Sequence, residues 1–456
     1  MNYDLQKDRN TVCAPSTGEW FFHHPEYEAF EKAKGPQLLF VTAEAGGGKS
    51  TTMRSLVDKL QASPEPPLVA YFFFKDDDDS LRSYDGALST LTYQLLVRGR
   101  GLTKFVKKQH QKYGNALRHN TKVLRKIILD IAAGVDRGVV CILDALDECA
   151  ALDRKQLVAD LVDIFNSESQ IPPSYRLKFV VTSRPYEDQN HPYSDLFEGA
   201  GNIRVLAGEN AKVSSDIRNV IRFKAEELAQ KRQLSQDVQD LLISRLLDQN
   251  RKTRSFLAVR MAFELMDSDQ RLHKGAGKRT VEIILTSIPQ ELGDQFDEML
   301  ARSGDRVHTW RLLCVILEAR KTLKIPEFKV IYALTQPTNS RVGPAGSYDE
   351  LEMPTDDEHF KRLVRSRCGL FITFIRNSVH LFHQTAREHL MATLDLPDRQ
   401  LGAKPPQTWE EGEDTRRRNS HYWKGCISRA DANVVCLTIC LDILTFNVPR
   451  TWVEGM

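Results

Sequence analysis

An apolar run that leads into a glycine-rich turn constrains this chain more than any other feature. Residues 38–53 read LLFVTAEAGGGKSTTM, in which Leu38–Val41 predicts a buried strand. The polar residues from Lys49 onward predict that a helix begins directly after the turn. A strand, a glycine-rich turn and a helix in this order are the layout of a phosphate-binding loop.

Each residue type in the turn suits phosphate binding. Glycines let consecutive N–H groups converge on phosphate oxygens, and the N-terminus of the following helix adds a partial positive charge. A lysine reaches the β- and γ-phosphates, and the Ser50 hydroxyl is predicted to be a Mg²⁺ ligand. Ala43 replaces the first glycine of the usual pattern, so we expect an altered turn after the strand. The predicted nucleotide-binding residues are Gly46, Gly47, Gly48, Lys49, Ser50 and Thr51.

A second apolar run ends in acidic residues. Residues 139–148 read VVCILDALDE, which predicts a strand with Asp144 at its end. An aspartate at this place holds Mg²⁺ in phosphate-loop NTPases. Asp147 and Glu148 follow three and four residues later, where a carboxylate can orient or deprotonate the attacking water.

A third apolar run ends in polar and cationic residues. Residues 177–185 read LKFVVTSRP, which predicts a further buried strand. Ligands bind at the carboxyl ends of strands in open α/β sheets, so Thr182 is a predicted nucleotide contact. Arg184 is predicted to read the γ-phosphate or to stabilise charge during its transfer.

Together these motifs resemble a known family. GGGKSTTM, CILDALDEC and FVVTSRP resemble the NACHT domain of STAND-class NTPases, in the form found in fungal NOD-like receptors and described as nephrocystin-type N-terminal NTPase domains. The resemblance runs from about residue 17 to about residue 395. It implies ATP or ADP with Mg²⁺, slow hydrolysis, a cytoplasmic location, and association with itself or with other NACHT or repeat proteins. GTP stays open as the nucleotide.

The resemblance also singles out one histidine. LFHQTAREHL resembles the winged-helix motif in which a histidine touches the β-phosphate of ADP in NOD-like receptors. That position is His383, and the resemblance implies that it clamps a resting state. The alternative is a core histidine at a strand end, which is the interpretation we give to His380 and His389.

The fold class that follows is an α/β P-loop NTPase with a mostly parallel sheet, then a helical lid and a winged helix. The sheet strands are expected at Leu38–Val41, Val69–Phe74, Val139–Leu143, Leu177–Val181 and Ile203–Leu206. The predicted domains are a lead-in (1–36), a nucleotide-binding domain (37–206), a lid (207–279), a winged helix (280–395), a linker (396–419) and a helical segment (420–456).

Two further segments carry expectations of their own. Residues 1–16 are polar and are expected to be loose, and the acidic run 76–79 is expected to be a solvated loop rather than a metal site. Within the winged helix we expect a hairpin around Arg376-Asn377, whose wing is apolar rather than basic, and no Lys/Arg-rich recognition helix is evident. Nucleic acid is therefore not an expected partner.

Composition narrows the function classes. The 456-residue chain has a net charge of +2, which implies no polyanion partner. Its eight cysteines show no paired C-x-x-C spacing and suit a reducing compartment. The polar start predicts no signal peptide, and no apolar stretch reaches the ~20 residues of a membrane span. No repeat with a period of about 33–45 residues is found, so sensor repeats are expected to be absent.

Two main hypotheses for function remain at this stage. The first is a nucleotide-dependent switch that hydrolyses ATP slowly. The second is a non-hydrolysing scaffold or decoy that acts by binding related NACHT proteins, motivated by Ala43 and the lack of sensor and effector domains. A small-molecule kinase is disfavoured, because such chains lack the helical and winged-helix modules.

Overall fold

The computed structural model divides the chain into two compact units, Met1–Val259 and Arg260–Met456. The division lies within the predicted lid, residues 207–279. The structure describes residues 3–10, 13–15, 17–165, 172, 174–185, 202–207, 210–253, 255–303, 305–336, 353–391 and 423–445. The predicted linker 396–419 lies outside these residues.

A five-stranded parallel sheet forms the centre of the first unit. Its strand order is β2-β3-β4-β1-β5, so β4 separates β1 from β3. The predicted strands are confirmed, with small changes at their ends. The bounds are Gln37–Thr42 (β1), Leu68–Phe73 (β2), Val139–Asp144 (β3), Leu177–Ser183 (β4) and Ile203–Ala207 (β5).

Helices cover both faces of this sheet, which is why its strands read as continuous apolar runs. Phe72 packs on one face against α5, α7 and α8, whereas Tyr71 packs on the other against α2, α3 and α4. These helices begin and end at Glu19–Phe22 (α2), Pro25–Lys32 (α3), Lys49–Gln61 (α4), Tyr84–Arg98 (α5), Thr103–Tyr113 (α6), Thr121–Ala133 (α7) and Ala151–Phe165 (α8).

Side chains of α5 cover the outer edge of β2. The Gln94 amide accepts a hydrogen bond from the Tyr71 N–H (3.1 Å) and donates one to the Tyr71 carbonyl (2.7 Å). Arg98 donates to the Val69 carbonyl. Three of the backbone groups that this edge strand leaves unpaired are therefore satisfied within the chain.

The expectation that residues 1–16 are loose is wrong for the residues that the structure describes there. Tyr3–Asp8 forms a helix (α1). Asp4 accepts a hydrogen bond from the Tyr71 hydroxyl (2.7 Å), and Lys7 pairs with Asp58 of α4 (2.7 Å). The segment is polar because it docks through hydrogen bonds and ion pairs, which sequence polarity alone does not distinguish from solvation.

Three helices follow β5, as the lid prediction required. They are Asn210–Arg232 (α9), Gln236–Thr253 (α10) and Phe256–Asp267 (α11). Ile221 of α9 and Leu242 of α10 are fully buried, which explains their helical apolar spacing. Asp216 of α9 accepts a hydrogen bond from the Gly18 N–H (2.6 Å), so the segment before α2 contacts the lid helices.

The second unit is helical with one hairpin and contains a winged helix. Its helices are Lys278–Ser287 (α12), Leu292–Ala301 (α13), Arg306–Glu318 (α14), Ile325–Thr335 (α15), Asp357–Cys368 (α16), Gln384–Leu390 (α17) and Arg429–Thr445 (α18). The predicted hairpin is confirmed as Ile372–Ile375 (β6) and Ser378–Leu381 (β7), with Arg376 at φ 52° in the turn.

Helix α16 precedes the hairpin in a segment to which the sequence analysis assigned no element. It carries the charged stretch KRLVRSR, in which Arg362 and Arg365 are exposed. Its apolar residues are few, but Phe360, Val364 and Cys368 recur every four residues and are buried. Asp356 caps the helix by accepting a hydrogen bond from the His359 N–H (2.7 Å).

The C-terminal helix α18 packs against α14 of the same unit. The segment before it is held by the Trp310 indole, which donates to the Cys426 carbonyl (3.2 Å). Asp297 accepts hydrogen bonds from the Trp423 N–H and from His389 (3.0 Å each), which supports a structural role for His389. Within the described residues, no helix is long and apolar enough to cross a bilayer.

Candidate nucleotide site

The loop between β1 and α4 has the backbone that a phosphate cradle requires. Gly46 and Gly48 have φ angles of 70° and 82°, which disfavour any side chain. A Cβ on Gly47 would lie 2.9 Å from the Glu44 carbonyl oxygen. Ala43 is not among the described residues with positive φ. The replacement of the first glycine is therefore compatible with the loop, against our expectation of an altered turn.

The first residues of α11 lie directly on this loop. The Phe256 N–H donates to the Gly46 carbonyl (3.1 Å). A Cβ on Gly46 would lie 2.7 Å from the Ser255 hydroxyl, and one on Gly48 would lie 3.3 Å from the Phe256 ring. Substitution of either glycine would therefore disturb both the cradle and the contact with α11.

Lys49 begins α4 and turns back over the loop. Its ammonium donates to the carbonyls of Ala43 (2.5 Å) and Glu44 (3.1 Å). Burial lowers the pKa of Lys49, and the negative charges of Asp147 and Asp144 oppose that shift. Phosphate oxygens would replace these carbonyls as acceptors while they compensate the same buried charge. Thr51 lies in the first turn of the same helix.

Asp144 lies at the end of β3, beside the end of β4. Its Oδ1 accepts a hydrogen bond from the Thr182 hydroxyl (2.7 Å), and its side chain also pairs with the Ser50 hydroxyl. The carboxyl is fully buried, and burial raises its pKa. Thr182 therefore orients the aspartate, a role that follows from the position of β4 between β1 and β3.

The second oxygen of Asp144 fits a cation. In the part of the chain that the structure describes, Oδ2 is buried and has no hydrogen-bond partner. An unpaired buried carboxylate oxygen beside a serine hydroxyl is costly by itself and suits a hard divalent cation. Mg²⁺ commonly takes one or two protein oxygens and completes its shell with phosphates and water, so Asp144 and Ser50 fit this group.

A strained residue redirects the chain after Asp144. Ala145 has a left-handed backbone (φ 58°), and its N–H donates to the Thr182 hydroxyl (2.9 Å). A short helical turn over Leu146–Glu148 follows. The strained backbone thus lies between β3 and the turn that carries the two predicted catalytic carboxylates, Asp147 and Glu148.

The two predicted catalytic residues Asp147 and Arg184 contact each other. The Arg184 Nε lies 3.0 Å from Asp147 Oδ2, and the Arg184 N–H donates to Asp147 Oδ1 (3.2 Å). Arg154 of α8 donates to the Asp147 carbonyl (3.0 Å). The arginine is therefore anchored at the sheet edge at which a γ-phosphate would lie.

Glu148 faces a cation that the sequence analysis did not identify. Lys75, which follows β2, places its Nζ 3.3 Å from Glu148 Oε1. Burial and the nearby charges of Asp76 and Asp147 raise the pKa of Glu148 to about 7, although Lys75 lowers it. A carboxyl with a pKa near neutrality suits a general base.

The structure brings most of the predicted site together at one edge of the sheet. The loop 43–48, the first turn of α4 and the ends of β3 and β4 converge there through the parallel register. Ser183 joins them as a residue that we missed, because its buried hydroxyl has no partner among the described residues. The sequence signal for Ser183 was its position as a polar residue within the TSRP motif at the end of β4.

His383 belongs to the second unit. It caps α17, where its Nδ1 accepts a hydrogen bond from the Thr385 N–H (3.0 Å). This contact fits either a capping residue or a phosphate contact through the other ring nitrogen. The nucleotide role of His383 stays a prediction.

Family models match two parts of the chain. Residues 16–184 match the model described as "Nephrocystin 3, N-terminal", and residues 213–278 match that of a domain of unknown function. The first match contains the phosphate loop, Asp144 and Arg184. The second covers most of α9, α10 and α11.

A curated relative extends the similarity along the chain. The vegetative incompatibility protein HET-E-1 of Podospora anserina is 21% identical over 383 residues, which is 82% of this chain and 26% of the relative. The chain thus spans about a quarter of that protein.

Solved structures show weaker similarity. A STAND protein with a tetratricopeptide repeat sensor from Pyrococcus horikoshii is 13% identical, covers 83% of this chain and 42% of its own, and has a TM-score of 0.42. The ORC2 protein of Aeropyrum pernix is 14% identical, with coverages of 83% and 94% and a TM-score of 0.36. At these scores the similarities carry no inference about function.

Proposed function

We propose that this chain is a nucleotide-dependent switch of the STAND class with a NACHT-like domain, in support of which residues 16–184 match the nephrocystin 3 N-terminal model and 82% of the chain is similar to HET-E-1. It binds ATP and ADP with Mg²⁺ and hydrolyses ATP slowly. The observation that carries this proposal is the buried oxygen of Asp144, which has no partner among the described residues and lies beside Ser50 at the phosphate loop.

The residues of the loop and of the neighbouring strand ends bind different parts of the nucleotide and its Mg²⁺. The N–H groups of Gly46, Gly47 and Gly48 hold the β-phosphate, and the Lys49 ammonium leaves the loop carbonyls for the β- and γ-phosphates. Ser50 and Asp144 hold Mg²⁺, which neutralises charge on the phosphates when it is bound. Thr182 keeps Asp144 in the orientation that this requires.

Three side chains act on the γ-phosphate and its attacking water. Glu148 accepts a proton from the water or orients it, for which its raised pKa is suited. Arg184 donates to the γ-phosphate, and Asp147 fixes the direction of that guanidinium. Each carboxylate has a distinct cationic partner, Lys75 for Glu148 and Arg184 for Asp147. This arrangement supports separate roles for the two.

A switch needs two states with different affinity for ligand. We propose that ADP stabilises a resting state in which His383 contacts the β-phosphate, and that exchange for ATP removes this contact. The resemblance of the motifs to those of NOD-like receptors extends the proposal to signalling in the cytoplasm, with self-association or binding of NACHT or repeat proteins as its output. Neither nucleic acid nor membrane is a proposed partner.

The first experiment identifies the nucleotide. The protein is purified beside Lys49→Ala and the control Lys108→Ala, which changes an exposed lysine of α6. Released nucleotide is identified by chromatography after denaturation, and the affinities for ATP, ADP and GTP are measured with Mg²⁺. Bound ADP that is lost only in Lys49→Ala supports the switch. Unchanged affinity in Lys49→Ala contradicts it.

The same preparations test the scaffold alternative. A non-hydrolysing scaffold predicts no phosphate release from ATP by the wild-type protein, at any concentration of Mg²⁺. Hydrolysis that Glu148→Gln abolishes excludes this alternative. The negative φ of Ala43 removes one of its two motives, since the loop keeps a geometry that alanine adopts without strain.

A further inference from the structure

Lys75 is placed to orient the candidate base. It directly follows Phe74, whose N–H donates to the Asp144 carbonyl (3.0 Å), and its own N–H donates to the Leu81 carbonyl (3.1 Å). Its side chain and that of Glu148 are 18% and 10% exposed, respectively. Hydrogen bonds therefore fix the backbone at Lys75 and at the residue before it, and the ammonium pairs with a carboxylate that has little access to water.

A second ion pair holds the same loop. Arg9, just after α1, forms a bidentate contact with Asp77, at 2.5 Å from Nη2 to Oδ2 and 3.2 Å from Nη1 to Oδ1. The two side chains are only 9% and 14% exposed. Asp77 lies two residues after Lys75, so the N-terminal segment is attached to the loop that carries the partner of Glu148.

The N-terminal segment itself docks through polar contacts. Lys7 pairs with Asp58 of α4, and Arg54 of the same helix donates to the Asn10 carbonyl. The Tyr3 ring meets Tyr71 edge to face at 5.8 Å. A short helix with few buried apolar side chains can detach at a lower free energy than the sheet behind it.

We propose that residues 3–10 control NTP hydrolysis: Arg9 holds the loop after β2 in the position in which Lys75 orients the Glu148 carboxylate. Lys75 and Arg9 are positioning residues, because neither contacts the reacting atoms. Detachment of the segment releases Asp77, frees Lys75 to move, and leaves Glu148 without a fixed direction. This inference rests on the proposed NTPase activity.

The position of Arg9 separates an effect on hydrolysis from one on binding. Nucleotide affinity depends on the loop 43–48 and on Asp144, which Arg9 does not contact in the described structure. A misdirected base lowers kcat, since the geometry of the attacking water is lost. We therefore expect kcat to fall while the Kd for ATP stays within about twofold.

The test compares substitutions at the two ion pairs, Arg9 with Asp77 and Lys75 with Glu148. Arg9→Met, Asp77→Asn and Lys75→Met are each expected to lower kcat by about tenfold or more. Lys32→Met is the control, because it removes a cation of α3 that is 73% exposed and whose partner Glu28 is 43% exposed. It is expected to keep the wild-type kcat. Lys75→Arg keeps the charge and is expected to retain most of the activity lost in Lys75→Met.

A charge exchange completes the test. Arg9→Asp and Asp77→Arg are expected to lose activity singly and to recover it together, with thermal unfolding measured on each variant. Wild-type kcat in Arg9→Met and Lys75→Met, with unchanged Kd, overturns the positioning role. Wild-type protein that binds ATP without hydrolysing it also overturns this role and leaves nucleotide binding intact. Failure to bind any nucleotide refutes the proposed function itself.

Discussion

The guanidinium of Arg184 lies 3.0 Å from Asp147, and the backbone N–H of Arg184 bonds to the same carboxylate. One aspartate thus fixes both the backbone and the side chain of the predicted γ-phosphate contact. The ion pair joins the end of β4 to the short turn after β3. A change in the γ-phosphate contact is therefore transmitted to the turn that carries Glu148.

Substitution of Arg184 should remove the distinction between ATP and ADP. Arg184→Lys keeps the charge but loses the planar group that reaches Asp147 and a phosphate together. We expect its affinity for ATP to fall about tenfold with affinity for ADP unchanged, as for the loss of a charge-assisted hydrogen bond. Calorimetric titration with both nucleotides measures this. Equal losses for ATP and ADP would show that Arg184 acts on the whole site instead.

Removal of the Asp144 charge should stabilise the nucleotide-free protein. Burial raises the pKa of this carboxyl. The charged form is therefore favoured less in the folded than in the unfolded protein, and stability is lost as pH rises above the unfolded pKa. Asp144→Asn is expected to raise the free energy of unfolding at pH 7 by about 1–3 kcal/mol, the usual cost of an unsatisfied buried group. Denaturant titration without nucleotide measures it.

The control for this prediction is the same denaturant titration in the presence of Mg²⁺ and ATP. Both together should stabilise the wild-type protein and have little effect on Asp144→Asn, since the variant lacks the metal oxygen. A variant that is less stable than wild type without ligand would contradict the assignment of Asp144 as a penalised charge.

Hydrolysis should rise with pH through neutrality. The pKa of Glu148 is raised from 4.5 to about 7, so the carboxyl is protonated in acid and cannot accept a proton from water. We expect kcat to increase as pH rises from 6 to 8, with an inflection near 7. Glu148→Gln should lower kcat by about 10²–10⁴-fold and remove the inflection. A pH profile of kcat with saturating ATP measures both.

The same carboxyl predicts a trend in stability. Because its folded pKa exceeds the unfolded value, its contribution is present below pH 4.5 and is lost as pH rises through about 7. Glu148→Gln should weaken this decline in the nucleotide-free protein. If the stability of Glu148→Gln falls as steeply with pH as that of the wild type, other titrating groups cause the fall.

The left-handed residue after β3 predicts that one substitution leaves stability nearly unchanged and that another lowers it. Ala145 has φ 58°, which costs an L-residue about 1–2 kcal/mol. Ala145→Gly relieves this strain and should leave stability nearly unchanged, because glycine adds flexibility to the unfolded chain. Ala145→Val should destabilise the protein by about 2 kcal/mol or more, since a β-branched residue is an outlier at this φ. Thermal unfolding of both variants measures the change in stability that each substitution causes.

Sequence reasoning recovered the strands because a sheet covered on both faces requires uninterrupted apolar runs. Val139–Asp144 and Leu177–Ser183 ended within two residues of their predicted ends, and their polar last residues indicated the site. Their order in the sheet was not predicted. The role of Thr182 as the partner of Asp144 follows from that order and from no local pattern.

The missed elements depend on partners distant in the chain. Lys75 and Glu148 are 73 residues apart, and Arg9 meets Asp77 across 68 residues. The segments around Arg9 and Lys75, taken alone, have the polar sequences of solvent-exposed chain. Helix α16 was missed for a related reason, since its arginines and lysine hide a narrow apolar stripe in a segment that follows a long polar loop.

The hydrogen bonds from Gln94 and Arg98 to β2 limit how copies of this chain can associate. A strand from another molecule could extend the sheet at this side only if it displaced the Gln94 amide from Tyr71 and the Arg98 guanidinium from Val69. Intermolecular β-pairing, the route by which exposed edges nucleate fibrils, is thereby opposed at the β2 edge. Association of folded copies there must proceed through side-chain surfaces rather than through backbone ladders.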